Sequence, residues 1–368
     1  MKSSNLLRLS ISIVLLIGLL SFLFGFSPWH RINDGPNAAL ENSAAALNLV
    51  DHKQRGAHVF GPIDSTNYHF LTQNNIEWVT LVTWGDQKAH DSPIMKHHFG
   101  DSLYIHKSDS AWLSRIELVR SLGFKVFVKP HIWINSPPDG KWRSDVFPTN
   151  EKNWDLWKKS YREFILRYAR IAEQGHAEMF CVGTELSRLS VEKPAFWKAL
   201  IQEVRSIYSG KITYAANWYN EYDKITFWED LDYIGIQAYF PLAKNKNPSV
   251  QQISKGWRKH ISSIETMHKK YNRKILFTEI GYKSTADSAI KPWEWIENPS
   301  VQGKALSIET QANCYEAFFK TVWKKKWFAG VHIWQLRSNY QEENFGRDSL
   351  DFTPLGKPAE GIIAKGFE

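Results

Sequence analysis

The sequence predicts an α/β fold of the (β/α)8 TIM-barrel class. From residue 56 onward, a short apolar run, a polar loop and a helical pattern alternate, and about eight such units fit into about 310 residues. No Gly-rich phosphate loop follows any candidate strand, so the structural alternative, a doubly wound open sheet, lacks its usual motif. We expect a signal peptide or signal anchor at 1–27, a linker at 28–50 and a single barrel domain at 51–368.

The N-terminal segment has the pattern of a signal peptide or a signal anchor. Two basic residues, Lys2 and Arg8, precede an uncharged apolar run that ends at Phe26. Taken as residues 9–26, the run approaches the length of a membrane span, and no small-x-small cleavage site follows it. We expect an uncleaved membrane anchor with the barrel exported to the periplasmic or extracellular side. Secretion after signal cleavage is the alternative.

Eight apolar runs rich in β-branched and aromatic residues predict the barrel strands. Their apolar character is nearly continuous, which is typical of parallel strands that are buried on both faces. In chain order they lie at 57–60, 78–84, 125–134, 179–186, 211–218, 233–240, 275–282 and 330–336.

Amphipathic stretches between these runs predict the outer helices. In the clearest, from Asn153 to Glu173, aromatic and aliphatic residues recur at helical spacing. We interpret that stripe as packing against the barrel rather than as a binding surface. The same pattern occurs at 109–122, 194–208, 250–271 and 309–324.

Composition and charge narrow the function classes. The chain has a formal charge of +8, but its basic residues are scattered and no nucleic-acid motif is present, so we expect no nucleic-acid partner. An acidic polysaccharide stays open as a partner. The 17 Trp residues suit flat platforms for sugar rings, although aromatic packing also explains them.

Cysteine and histidine spacing predicts neither a metal site nor a cofactor. Cys181 lies in a strand pattern and Cys314 in a helical one, which favours two buried free thiols, with a disulfide as the alternative in an exported protein. Four histidines in the long stretch after the second strand match no standard metal motif, and we interpret them as part of a solvated loop: His90, His97, His98 and His106.

Several predicted strands begin apolar and end polar or aromatic. In a parallel barrel these carboxyl ends open on one face, where active sites form. The residues concerned are Lys129, His131, Trp133, Thr184, Glu185, Asn217, Trp218, Gln237, Tyr239, Glu279, Trp334 and Gln335.

Two carboxylates at these ends form the most informative pair. Glu185 and Glu279 follow strongly apolar runs at the ends of the predicted fourth and seventh strands. A single glutamate there is explained by bonds to loop amides, but two facing one cleft are the equipment of glycoside hydrolysis. One donates a proton to the leaving oxygen, with a pKa raised by burial and negative charge, and the other attacks the anomeric carbon.

From Gly56 to the C-terminus, the sequence resembles glycoside hydrolase family 113, a β-mannanase family of clan A whose members are retaining (β/α)8 enzymes. The order and spacing of the matching segments make the resemblance specific. They are 128–133 (VKPHIW), 180–186 (FCVGTEL), 212–218 (ITYAANW), 233–241 (YIGIQAYFP), 276–283 (LFTEIGYK), 291–295 (KPWEW), 329–334 (AGVHIW) and 351–359 (DFTPLGKPA).

The resemblance implies roles for individual residues. Glu185 corresponds to the acid/base and Glu279 to the nucleophile, while Tyr239 would bond the nucleophile and Trp334 would floor the sugar site. Many clan A enzymes carry Asn directly before the acid/base, where this chain has Thr184. Asn217 is the candidate substitute for recognising the sugar 2-hydroxyl, and a turn-forming role is its alternative.

Further strand-end and loop residues are expected to line the cleft or to pack beneath it. Lys129 bonds either a sugar hydroxyl or a barrel carboxylate. The other candidates for substrate binding, for which packing is the competing role, are His131, Trp133, Trp218, Gln237 and Trp293.

The resulting prediction is a retaining glycoside hydrolase that acts on an oligo- or polysaccharide, above all β-1,4-mannan or manno-oligosaccharides. A transglycosylase or a β-glucan-directed enzyme with the same site is one alternative. A non-catalytic sugar-binding barrel and an anchored scaffold are the others. The two glutamates argue against pure binding, and the strand-end aromatics argue against a scaffold.

Overall fold

The computed structural model describes residues 52–97, 108–138, 140–295, 304–338 and 349–368. Within these ranges eight parallel strands close into a barrel, because the first strand pairs with both the second and the last. A short additional strand pairs antiparallel with the end of the second. The strands are β1 (Gln54–Phe60), β2 (Trp78–Gln87), β3 (Met95–His97, the antiparallel one), β4 (Lys125–Ile134), β5 (Met179–Thr184), β6 (Lys211–Asn217), β7 (Tyr233–Gln237), β8 (Lys274–Ile280) and β9 (Phe328–Arg337).

Helices connect the strands. In addition, 3-10 turns occupy Arg143–Asp145 and Trp228–Asp230. The helices are α1 (His69–Gln73), α2 (Asp109–Ser121), α3 (Glu151–Gln174), α4 (Ser187–Glu192), α5 (Pro194–Ile207), α6 (Val250–Tyr271), α7 (Ile308–Thr321) and α8 (Pro358–Gly366).

The predicted barrel is confirmed, and each predicted strand and helix overlaps an observed one. The predicted C-terminal ends of four strands were wrong by two or three residues. The strand predicted at 78–84 stops short of Gln87, and those predicted at 179–186, 233–240 and 275–282 run past the last strand residues, which are Thr184, Gln237 and Ile280. Residues beyond the ladder stay buried under the loops of the barrel mouth, so apolar character continues after pairing has stopped. The short elements β3, α1, α4 and α8 were missed because so few residues show little periodicity.

The aromatic stripe of α3 packs against the barrel, as expected. Trp154 and Trp157 stack with ring centroids 5.7 Å apart, and Trp157 stacks on Tyr161 at 4.7 Å. Their polar atoms tie the helix to the strands: Trp157 Nε1 donates to Gln87 Oε1, and the Tyr161 hydroxyl donates to the Val182 carbonyl. This packing fixes the strands that carry the site.

The barrel interior changes from apolar to polar toward the carboxyl ends of the strands. Above an apolar cluster, His332 bonds Thr80 at 2.7 Å and Gln54 at 3.0 Å. Burial, helped by the nearby charge of Lys129, lowers the pKa of His332 to about 3, so this imidazole is neutral. The apolar cluster consists of Trp78, Phe127, Met179, Cys181, Ala215 and Leu276.

The two cysteines are free and buried, which is the favoured of the two sequence interpretations. Burial raises the pKa of both thiols. Within the described ranges no helix is long and apolar enough to cross a membrane, and the expected anchor at residues 9–26 lies outside them. Of the four loop histidines, His98 and His106 also lie outside, and the side chains that are described include no group of three or more metal-ligating residues.

Candidate active site

A cavity of about 820 Å³ opens at the carboxyl ends of the strands. Nine of the eleven residues proposed for the site from the sequence line it, and Lys129 and Trp133 do not. The nine are His131, Glu185, Asn217, Trp218, Gln237, Tyr239, Glu279, Trp293 and Trp334.

Glu279, in β8, has both carboxylate oxygens bonded. Oε1 lies 2.6 Å from the Lys129 ammonium, and Oε2 accepts a 2.7 Å hydrogen bond from the Tyr239 hydroxyl. Burial and the negative charge of Glu279 raise the pKa of Tyr239 well above its usual value, so the phenol remains a donor. A cation and a fixed donor together hold an ionised carboxylate in one orientation.

Lys129 pairs with a barrel carboxylate rather than facing the cavity. It is fully buried, and its ammonium also donates to Gln237 Oε1 at 2.6 Å and to the Thr278 carbonyl at 3.3 Å. Burial lowers the pKa of Lys129, and the charge of Glu279 opposes this shift. Of the two roles considered for this residue, the structure therefore supports the carboxylate partner.

Glu185 follows β5 in an unusual backbone conformation. Its φ of +52° lies in the left-handed region, which non-glycine residues rarely adopt, and its amide donates to the Ala215 carbonyl at 2.9 Å. Burial raises the pKa of the Glu185 carboxyl, the Arg143 charge lowers it, and the charge of Glu279 raises it again. The two glutamates thus differ in their partners: Glu279 bonds an ammonium and a phenol directly, whereas Glu185 has a more distant cation and a neighbouring negative charge.

Arg143 was not recognised from the sequence. It lies on the 3-10 turn after β4, where no strand or helix periodicity points to it, and its guanidinium stacks over Trp142 at 4.6 Å. Its Nε lies 3.6 Å from Glu185 Oε2, and its Nη1 donates to His131 Nδ1 at 2.6 Å. The sequence signal that could have identified Arg143 is a charged residue in the loop that follows the carboxyl end of a barrel strand.

His131 presents a free donor to the cavity. Burial and the Arg143 charge lower its pKa well below 6.5, so the ring is neutral. Because a guanidinium can only donate, His131 Nδ1 must accept, and the ring proton sits on Nε2. Nε2 lies 3.8 Å from Glu279 Oε1 and has no hydrogen-bond partner among the described residues.

Aromatic side chains form the walls of the cavity. Trp218 and Trp293 stack with centroids 5.2 Å apart, and Trp295 meets the buried Trp334 edge-on at 5.8 Å. Trp133 is 42% exposed and lies outside the lining, with its ring 5.7 Å from Trp142. Besides Arg143, seven further lining residues were not singled out in the sequence: Gly140, Lys141, Trp142, Tyr219, Glu294, Trp295 and Phe352.

The segment after β8 that carries Trp293 and Trp295 is fastened by ion pairs. Lys304 lies 2.5 Å from Asp287 Oδ2 and 2.6 Å from Glu294 Oε2. From the other side, the buried ammonium of Lys283 donates to a backbone carbonyl of the same segment at 3.0 Å. These contacts hold the segment that carries Trp293 and Trp295, two tryptophans of the cavity wall.

Asn217 makes the turn-forming contact considered for it and also faces the cavity. Its Oδ1 accepts from the amide of Tyr219 at 3.1 Å, which is a turn-forming contact, and the residue also lines the cavity. Thr184 donates to the carbonyl of Pro130 at 3.0 Å and does not line the cavity. Of these two, Asn217 is therefore the one that faces the cavity.

Known proteins resemble this chain in sequence and in architecture. The sequence model of Glycoside Hydrolase Family 113 matches residues 61–357. The chain is similar to a complex of a GH113 β-1,4-mannanase, with 25% identity and a TM-score of 0.71 over 86% of this chain and 99% of that one. It is also similar to the GH113 β-mannanase from Alicyclobacillus acidocaldarius in complex with ManMIm, with 26% identity and a TM-score of 0.70 over 86% and 97%.

A more distant likeness concerns the fold alone. The β-glucuronidase of Ruminococcus gnavus is 12% identical, with a TM-score of 0.55 over 86% of this chain and 50% of that one. The comparison with curated proteins gave no match. Because the family match extends over most of the barrel and the carboxylate pair lies at the barrel mouth, the chain belongs to glycoside hydrolase family 113.

Proposed function

We propose that this glycoside hydrolase cleaves β-1,4-mannan or manno-oligosaccharides with retention of configuration. The observation that carries the proposal is the contrast between two carboxylates in one cavity. Glu279 is held by a cation and a phenol donor, whereas burial and negative charge raise the pKa of Glu185. A carboxyl group with a raised pKa suits the proton donor, and a carboxyl group held by a cation and a phenol suits the nucleophile. The mannanase identity of the two GH113 structures supports the substrate class.

In the first step, Glu279 attacks the anomeric carbon while the Glu185 carboxyl gives its proton to the departing glycosidic oxygen. The C–O bond to the leaving sugar breaks, and an ester bond to Glu279 forms. In the second step, the Glu185 carboxylate takes a proton from water, whose oxygen attacks the same carbon and releases Glu279. Two inversions give net retention, and this mechanism predicts a carboxyl separation of roughly 5–5.5 Å.

Other side chains of the cavity would bind and orient the sugar. The unpartnered Nε2 proton of His131 lies next to the nucleophile, where it can donate to a sugar hydroxyl. Trp334 and the stacked pair Trp218 and Trp293 offer flat faces for sugar rings. Activity on manno-, gluco- and mixed oligosaccharides, with product sizes resolved, separates mannan cleavage from β-glucan cleavage and from transglycosylation.

Alanine variants with azide rescue test the two roles. Glu279→Ala should abolish turnover of every substrate, since no ester can form. Glu185→Ala should cripple natural glycosides far more than activated aryl glycosides, because acid assistance matters in proportion to how poor the leaving group is. Azide should rescue Glu185→Ala with a β-azide product, and Glu279→Ala only with an α-azide, as identified by NMR.

A third carboxylate of the same cavity provides the matched control. Glu294 pairs with Lys291 and Lys304, so Glu294→Ala should show neither form of azide rescue. Full activity in both catalytic variants would show that the assignment is wrong. A wild type that binds sugars tightly but hydrolyses none would replace the proposal with the sugar-binding alternative.

We also propose that residues 9–26 anchor the enzyme in a membrane and leave the barrel on the exported side. The support is the uncharged apolar run after Lys2 and Arg8, together with the missing cleavage site after Phe26.

A further inference from the structure

A buried carboxylate outside the cavity lies behind the acid/base. Glu221, in the loop after β6, is fully buried and does not line the cavity. No lysine, arginine or histidine is paired with it among the described residues. Burial raises the pKa of Glu221 to about 7, and hydrogen bonds from neighbouring groups oppose this shift. These hydrogen bonds, rather than a cation, stabilise the ionised carboxylate.

Four donors from two elements, α4 and β6, converge on this carboxylate. Ser187 and Ser190, both in α4, donate to it at 2.9 and 2.7 Å. The hydroxyl of Tyr214, in β6, donates at 2.6 Å, and so does the amide of Asn217 at the end of β6. A carboxylate is the side chain suited to this position, because it accepts at both oxygens and donates at neither.

One of these donors, the Tyr214 hydroxyl, also connects Glu221 to the turn that carries Glu185. The amide of Leu186 donates to the Tyr214 hydroxyl at 2.9 Å, and that hydroxyl donates onward to Glu221. Leu186 follows Glu185, whose φ is +52°. A non-glycine residue keeps such a conformation only when its surroundings hold it there. The chain just after Glu185 is hydrogen-bonded to Glu221, directly or through Tyr214. The residues concerned are Leu186, Ser187 and Ser190.

We infer that Glu221 is a positioning residue that holds the strained turn carrying Glu185 against the end of β6. This inference rests on the proposed function, in which Glu185 is the acid/base. The same carboxylate fixes the backbone of Asn217, so one buried group sets the positions of two cavity residues on neighbouring strands.

The test is the leaving-group dependence of Glu221→Gln. Its amide nitrogen cannot accept, so at least one of the four donors loses its partner and the turn can relax. Small misplacements of reacting groups cost up to about a hundredfold in rate. We expect kcat/KM on manno-oligosaccharides to fall by about ten- to a hundredfold. The value for 2,4-dinitrophenyl β-mannosides should change far less, because that leaving group needs little acid assistance.

Two signatures distinguish positioning from a general structural defect. Azide should accelerate Glu221→Gln on the activated substrate and give a β-azide, since a misplaced base slows hydrolysis of the glycosyl-enzyme. Amide hydrogen exchange over residues 185–190 should rise, while exchange in the other strands stays at the wild-type level. Glu221→Asp, which keeps both acceptor oxygens, should recover part of the lost activity.

A matched pair of tyrosine variants tests the inference even if Glu221→Gln misfolds. Tyr214→Phe removes the hydroxyl that joins Leu186 to Glu221. Tyr208→Phe removes an equally buried hydroxyl, which donates to the Ala177 carbonyl at the opposite end of β5. Tyr214→Phe should reproduce the leaving-group effect, and Tyr208→Phe should not.

An equal loss on all substrates, or unchanged kinetics and exchange, would overturn the inference and leave the proposed function intact. A wild type that hydrolyses no glycoside would overturn the proposed function together with the catalytic part of this inference. In that case, hydrogen exchange at residues 185–190 still decides whether Glu221 holds the turn.

Discussion

At the scale of single residues, partners rather than residue type separate the two glutamates of the cavity. Glu279 touches the Lys129 ammonium, whereas Glu185 has Arg143 at 3.6 Å and keeps 12% of its side chain exposed. Moving or removing one of these cations should therefore change one catalytic role more than the other.

Arg143 should control the pH at which the acid loses its proton. Burial raises the pKa of Glu185 and the Arg143 charge lowers it. The acid works below this pKa and fails as the pH rises through it, so the basic limb of kcat/KM should follow the Glu185 carboxyl. Arg143→Met should move that limb to higher pH, and Arg143→Lys should move it less. A basic limb that stays in place in Arg143→Met would show that another group sets it.

Lys129 should matter for both stability and activity. Lys129→Met leaves Glu279 buried without its cation, and breaking a buried pair in this way costs about 3–5 kcal/mol. Urea unfolding should show this loss, with kcat/KM falling alongside it. The double variant Lys129→Met/Glu279→Gln, which removes both charges, should recover much of the stability and none of the activity. Additive losses in the double variant would contradict the pairing.

At the scale of elements, the barrel supplies the carboxylates from its strands, whereas the segment after β8 supplies much of the aromatic wall. Trp293 and Trp295 lie on a segment that is held by ion pairs and by scattered backbone hydrogen bonds rather than by a strand ladder. The wall is therefore easier to perturb than the catalytic centre, and it should affect binding more than chemistry.

Lys304→Met tests this division. Partly exposed pairs contribute about 1 kcal/mol or less, so KM for oligosaccharides should rise about two- to fivefold with kcat nearly unchanged. High salt should raise the wild-type KM toward that of the variant and affect the variant less. Lys291→Met is the control, because its ammonium is more exposed and lies 3.3 Å from Glu294. A fall in kcat as large as the rise in KM would place the segment in the chemical step.

At the scale of the whole molecule, the barrel contains every residue that we assign to the site, and the role that we propose for residues 9–26 is that of an anchor. A chain of residues 51–368 should therefore keep the wild-type kcat/KM but leave the membrane fraction. The full chain should partition with membranes and retain its first residues, as intact-mass analysis would show. An exported form that begins shortly after residue 26 would favour signal cleavage instead.

The sequence alone predicted the barrel and the carboxylate pair, because both produce local patterns in the sequence. Strand and helix alternate with periods that are visible within a few residues, and polar residues at the ends of apolar runs mark the open face. Nine of the eleven proposed residues meet in one cavity for this reason.

The partners of those residues depend on tertiary structure, because they join positions that are far apart in the chain. Lys129 and Glu279 are 150 residues apart, so neither strand alone indicates that they pair. Arg143 reaches Glu185 from a loop without periodicity, and Glu221 accepts hydrogen bonds from one strand and one helix. Burial, close charges and hydrogen-bond geometry set the protonation and orientation of each group, and these quantities exist only once the barrel has closed.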